Sequence, residues 1–145
     1  MKAEKVLGNI YQSEAYGGEF IAVPFEWFET EKKRIRKEAR DGTSIGIIVE
    51  EELQNGDILI NEGEIYYYVE LLPTDLIKIT VTSIQEMGRL CFEIGNRHLY
   101  LSIADTSVAV PYDELTFQYL RKSGFDAVKV CEQFDHYTKC TGHEN

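Results

Sequence analysis

Three histidines and one late cysteine are the residues of this 145-residue chain whose types suit metal chemistry. His98 follows Gly95-Asn96-Arg97, whereas His136, Cys140 and His143 stand in the polar C-terminal stretch. A neutral imidazole offers one nitrogen lone pair to nickel, copper or zinc, and a thiolate favours zinc or copper. One imidazole makes no site of useful strength, so His98 needs donors from elsewhere. His136, Cys140 and His143 are candidates to cap a metal held there. Cys91 lies on an apolar helical stripe and reads as an inert buried thiol; Cys131, at a strand end, reads the same way. No His-Glu-x-x-His or Cys-x-x-Cys occurs. A catalytic zinc site needs three fixed ligands and a placed base, so this inventory argues against an enzyme.

The elements that must position His98 are legible around it. Ser83 stands three residues before Glu86, the spacing of a capping box at a helix start. Ile84, Met87, Cys91 and Ile94 share one helical stripe, and Gly95 supplies the expected stop. His98 then falls on a surface loop. Leu76–Thr82 alternates as a strand before this helix, and Leu99–Ile103 and Val108–Tyr112 are strand-like after it. Asp113 is placed to cap a second helix through Lys122, ended by Gly124, and Phe125–Cys131 reads as a last strand. The order β-α-β-β-α-β is the ferredoxin-like arrangement.

Residues 1–72 have a different texture. Ile45, Ile47 and Val49 alternate, as do Ile65, Tyr67, Val69 and Leu71. Asp41-Gly42, Asn55-Gly56-Asp57 and Asn61-Glu62-Gly63 punctuate them as turns. The fold expected is α+β: an all-β N-terminal domain over 1–72, then the ferredoxin-like domain over 73–145 with a flexible tail from 135. Tyr66-Tyr67-Tyr68 is expected to alternate between surface and core. Lys32-Lys33-Arg34-Ile35-Arg36-Lys37-Glu38-Ala39-Arg40 is the one basic island, either a solvated strand face or a docking patch for an acidic partner.

Composition sets the class. With 43% hydrophobic and 12% aromatic residues the chain is globular, and its net charge of −10 disfavours nucleic acid and anionic membrane as partners. Met1–Gly8 lacks the apolar run of roughly 7–15 residues of a signal peptide, and nothing approaches the ~20 of a membrane span. Three cysteines are too sparse for a disulfide framework, which points to the cytoplasm.

Gly95-Asn96-Arg97-His98, with Arg89-Leu90-Cys91-Phe92-Glu93-Ile94 before it, resembles the signature of the UreE family, urease accessory metallochaperones that deliver nickel. Further blocks follow the family order: Val6-Leu7-Gly8-Asn9, Glu31–Arg36, Asp41–Ile47 and Leu53–Leu59. The resemblance implies a homodimer through the C-terminal domain, with the histidine matching His98 from each subunit sharing one Ni²⁺. A two-fold axis duplicates every donor and so answers the ligand shortage. Imidazole donors alone would also accept Zn²⁺ or Cu²⁺. Family partners are the accessory GTPase and, through it, the urease apoprotein complex; a metal-bridged dimer of dimers is a further assembly.

This chain departs from the family in three places. Its tail is not histidine-rich, Val108–Asp113 carries no histidine pair, and Tyr100 replaces a proline common two residues past the motif histidine. The competing class is a non-catalytic interaction module, with the β domain binding peptide partners. An RNA-binding version of the fold is disfavoured, because Ile77, Ile79 and Val81 on the first strand offer no aromatic platform.

Overall fold

The computed structural model describes residues 1–12 and 16–138, within two compact units, Met1–Leu72 and Pro73–Asn145. The first unit is built from β1 (Lys2–Ala3), β2 (Gly8–Asn9), β3 (Glu19–Phe25), β4 (Arg34–Glu38), β5 (Ser44–Ile48), β6 (Asp57–Glu62) and β7 (Ile65–Leu71), with one 3-10 turn at Trp27–Glu29. They form two sheets, ordered β1-β5-β4 and β2-β6-β7-β3. Period-two alternation sends Ile45, Ile47 and Val49 inward with Tyr67, Val69, Val23 and Phe25, and these side chains make a single core. Tyr67 is buried while Tyr66 and Tyr68 on either side are half-buried, as the alternation requires. The region is all-β, as the turn-punctuated pattern implies.

The second unit contains β8 (Thr74–Thr80), α1 (Ile84–Asn96), β9 (Ser102–Ile103), β10 (Ser107–Pro111), α2 (Glu114–Lys122) and β11 (Asp126–Glu132). Its antiparallel sheet runs β11-β8-β10-β9, the strand order of the ferredoxin-like fold. Ile77 and Ile79 of β8 and Val108 and Val110 of β10 meet Leu90 and Ile94 of α1 and Leu120 of α2 in its core. Ser83 caps α1 by accepting from the Glu86 N–H at 3.1 Å. The Glu86 carboxylate bonds to the backbone N–H and hydroxyl of Thr82, one residue before the cap. No helix among the described residues is long and apolar enough to cross a membrane.

Three expectations are corrected by the structure. The apolar stripe of α1 is Met87, Leu90, Cys91 and Ile94, centred on the two fully buried residues Leu90 and Ile94. That centring puts Ile84 at the margin of the stripe, where it is 82% exposed. Cys91 is half-buried, its thiol pushed up by burial and 3.8 Å from the Met87 sulfur, so it stays protonated. Cys131 is exposed, because it sits opposite the exposed Asp75 near the end of the edge strand β11. Finally, residues 135–138 are anchored rather than loose. Thr138 and Leu101 exchange backbone hydrogen bonds at 2.6 and 3.1 Å, and the Ser102 hydroxyl donates to the Asp135 carbonyl at 3.1 Å.

Candidate metal centre

α1 does not stop at Gly95. It runs through Asn96, with Arg97 as its C-cap, and the residue in the left-handed conformation that turns the chain away is His98, at φ 59°. The Leu99 N–H donates to the Ile94 carbonyl at 3.2 Å and the His98 N–H to the Gly95 carbonyl at 3.0 Å. These are the paired bonds of a Schellman closure, and Leu99 and Ile94 supply its apolar contact in the core of the unit. Gly95 itself has helical company on both sides and no left-handed backbone.

The same closure ends α2. There the Phe125 N–H donates to the Leu120 carbonyl and the Gly124 N–H to the Arg121 carbonyl, both at 3.1 Å, with Gly124 at φ 93°. Glycine is the residue that position favours, since a Cβ there crowds the following carbonyl. His98 takes it with a Cβ. Among non-glycine residues, His, Asn and Asp tolerate the left-handed region best, and an exposed residue held there by its surroundings marks a candidate functional position. The imidazole is therefore carried on an exposed turn whose backbone is fixed by two hydrogen bonds and a packed apolar pair.

The other sequence-identified donors divide. His136 is exposed, also left-handed at φ 51°, with its imidazole 3.7 Å from the Asp135 carboxylate. Cys140 and His143 lie outside the described residues. The last described anchor before them is the Leu101–Thr138 pair, which leaves Cys140 two residues beyond Thr138, as His98 is three before Leu101. Tyr100 has a role the sequence did not disclose. Its ring stacks on Tyr137 at 5.7 Å, and Tyr137 stacks on Phe134 at 4.9 Å, so the residue replacing proline helps to hold the chain before the tail. Among the described residues no three His, Cys, Asp or Glu side chains gather as a metal-binding group.

α1 presents a second feature beside His98. Ile84, Gly88, Phe92 and Gly95 follow one another at helical spacing, with Ile84 and Phe92 82% and 69% exposed. A Cβ built on Gly88 or Gly95 would meet no atom within 4 Å. Glycine inside a helix costs about 1 kcal/mol relative to alanine, so two on one bare face lower the helix's own stability and leave its backbone open to close approach.

Three of the six basic residues in the basic run of the first unit pair with carboxylates. Lys37 pairs with Glu29 at 2.9 Å, Arg40 with Glu70 at 2.7 Å and Lys33 with Glu50 at 3.5 Å. Burial works against ionisation of Glu29, but the Glu26 backbone N–H and the Lys37 ammonium outweigh it and keep the carboxyl below its usual range. On the other sheet of that unit, Phe20 and Tyr66 pack at 5.4 Å and Tyr16 and Tyr66 at 5.5 Å, with Tyr68 6.4 Å from Phe20.

Comparison with known proteins covers both units. The model for the UreE urease accessory protein, N-terminal domain, matches residues 3–69, and that for the C-terminal domain matches residues 74–145. The urease accessory protein UreE of Bifidobacterium longum subsp. infantis is 42% identical over 144 residues, 99% of this chain and 65% of the relative. The chain thus spans slightly less than two thirds of that protein's length. The UreE of Acetivibrio thermocellus is 37% identical over 131 residues, covering 89% of this chain and 86% of its own. The Haemophilus influenzae strain Rd protein is 31% identical over 134 residues, covering 88% and 72%.

Proposed function

The chain belongs to the UreE family of urease accessory proteins, and from that premise we propose that it is a nickel metallochaperone that delivers Ni²⁺ to the urease apoprotein during active-site assembly. The observation that carries the reading is His98: an exposed imidazole fixed in the left-handed position of a helix closure where glycine is the stable choice. Nickel is cargo here, so the site must bind and release it. His98 and the partner subunit's His98 supply the first two donors of an interfacial site. His136, just before the Leu101–Thr138 anchor, and Cys140 and His143, beyond it in the chain, supply further donors.

The exposed Ile84–Gly88–Phe92–Gly95 face of α1 supports the homodimer that this arrangement needs. An apolar helix face with bare glycines lets a second copy approach closely, and a two-fold axis through it repeats His98. The assembly then works in the cytoplasm with the accessory GTPase and the urease apoprotein complex, and a metal-bridged tetramer is its larger form. Binding with a micromolar constant amounts to about 8 kcal/mol, against roughly 10–16 for a closed structural zinc site, and suits a protein that hands its ion on. The role is binding and transfer, with no reaction of its own.

Equilibrium dialysis of the wild type and His98→Ala against Ni²⁺, with sedimentation on the same samples, tests it. The wild type is expected to take up about one ion per two chains, as two-fold sharing requires, and the variant to lose it. Unchanged stoichiometry and affinity in the variant, or a strictly monomeric protein with and without nickel, overturns the reading. Zn²⁺ and Cu²⁺ in parallel dialyses measure selectivity.

A second reading, peptide binding by residues 1–72, is favoured by one observation, the Tyr16–Phe20–Tyr66–Tyr68 cluster on the β domain. Exchanging Phe20 for Ser would weaken partner binding while leaving nickel uptake intact; loss of both together argues against separate roles.

A further inference from the structure

α1 has a third face that neither the core nor the apolar stripe uses. Arg89, Glu93 and Arg97 follow one another at i, i+4 and i+8, and each meets an aromatic residue of the α2–β11 segment. The Arg89 guanidinium lies 5.4 Å from the centre of the Phe125 ring. Glu93 accepts from the Tyr119 hydroxyl at 2.7 Å. The Arg97 guanidinium lies 3.7 Å from the centre of the same Tyr119 ring, the shortest cation–ring distance found among the described residues. Tyr119 is thus held at both ends: its hydroxyl by α1 one turn before the helix stops, its face by the residue on which the helix stops.

Arg97 is the C-cap, and the next residue is His98. A guanidinium stacked on a ring is attracted by the ring's quadrupole and, being planar, is fixed in orientation as well as position. The Asp113 carboxyl at the N-cap of α2 is lowered first by the Thr116 backbone N–H and hydroxyl and only then by the Arg97 charge, which adds a small attraction. α2 therefore grips the backbone unit from which the left-handed turn departs. A histidine in that conformation needs such support, because the αL position alone would relax toward other backbone states. The Schellman bonds at Gly95 and Ile94 hold the turn from inside the helix, and Tyr119 holds it from the neighbouring helix.

We propose that Tyr119 is a positioning residue for the His98 imidazole, acting through Arg97. The inference rests on His98 being the nickel ligand for its consequence, while its structural part stands without metal. A ring that merely packed α1 against α2 would be equally well replaced by any apolar side chain of similar size. The clamp instead requires an aromatic face opposite a guanidinium. Phenylalanine keeps that face and loses only the bond to Glu93; leucine loses the face.

The experiment uses the intact protein in two states. In the metal-free protein, hydrogen exchange at the His98 and Leu99 amides reads the turn directly. Tyr119→Leu is expected to accelerate both roughly 3- to 10-fold, the equivalent of a lost cation–π contact, and Tyr119→Phe to restore them. Arg97→Gln, a surface change that leaves the core intact, is expected to give the same acceleration. The double variant should be no worse than either single one, because both remove one contact. Titration with Ni²⁺ should then show affinity reduced roughly 3- to 10-fold in Tyr119→Leu and in Arg97→Gln, and near wild type in Tyr119→Phe.

Wild-type exchange at both amides in Tyr119→Leu and Arg97→Gln, fully additive effects in the double variant, or no rescue by phenylalanine overturns the clamp. Altered exchange with unaltered nickel affinity overturns its role in positioning the ligand. Failure of the wild type to bind nickel, or full binding by His98→Ala, removes the metal reading instead, and the amide measurements decide the clamp independently.

Discussion

The two helices of the C-terminal unit end in the same hydrogen-bonded closure with opposite choices at its critical residue. α2 places Gly124 in the left-handed position and α1 places His98 there. Each closure brackets that residue with an apolar pair five apart, Leu120 with Phe125 and Ile94 with Leu99. Since bonding pattern and packing match, the difference isolates what a side chain at this position costs, about 1–2 kcal/mol for a non-glycine residue. One helix end follows the rule for stability. The other departs from it at the one histidine of the family motif, which is the pattern expected where a side chain is kept for its chemistry.

The largest effect is expected from making the two ends alike. His98→Gly should abolish interfacial nickel binding while raising stability by about 1 kcal/mol, because glycine enters αL without strain. Affinity should fall by more than roughly 100-fold, given that even outer-shell partners of metal ligands are worth 10–100-fold. Calorimetric nickel titration and urea denaturation on the same preparation read both quantities. A variant that loses nickel and is also less stable would show that His98 makes contacts which outweigh its backbone strain. His98→Ala serves as the control, since it removes the imidazole and keeps a Cβ in the strained position.

Next in size is the converse change. Gly124→Ala should destabilise the protein by about 1–2 kcal/mol through the backbone alone. A Cβ there would meet no atom within 4 Å, so steric crowding from neighbours adds nothing. Nickel affinity should hold. If Gly124→Ala proves neutral in urea, the strain assigned to His98 by analogy is overstated as well.

The comparison also shows what could be read from the chain. The β-α-β-β-α-β order was legible because each element carries a local signal: alternation in Leu76–Thr82, Ser83 and Asp113 at cap positions, Gly124 at a stop. Gly95 misplaces the end of α1 because it is the conspicuous residue there, whereas the true marker is the spacing of Ile94 and Leu99. Read that way, the apolar pair would have placed the left-handed residue at 98. The exposure of His98 just past the helix was legible too. The grip of Tyr119 on Arg97, the Tyr100–Tyr137 stack and the Leu101–Thr138 pairing were not, since they join residues far apart in the chain and leave no periodic trace. Ile84 and Cys131 read as interior although both are exposed, because apolar pattern cannot reveal where a sheet or helix runs out of cover.

The smallest effect separates the same two helices at their other ends. α1 is capped by Ser83, which does not titrate, and α2 by Asp113, whose carboxylate accepts from the Thr116 N–H and hydroxyl at 2.9 Å each. The Thr116 backbone N–H and then its hydroxyl hold the Asp113 carboxyl below the usual carboxylate range. A group with a lowered folded pKa binds fewer protons folded than unfolded, so its contribution is present above the ordinary aspartate value of about 3.9 and is lost as pH falls through the folded value. Acid should therefore loosen the first turn of α2 at a pH where the serine cap of α1 still holds. Amide exchange at Thr116 should quicken relative to its intrinsic rate over that window, while the Glu86 amide, held by Ser83, keeps its protection. Asp113→Asn should remove the difference in pH response, since an amide cap accepts the same bond without a proton to gain. Thr116 and Glu86 losing protection together would mean that the helices unfold as one unit in acid, and that the caps do not act separately.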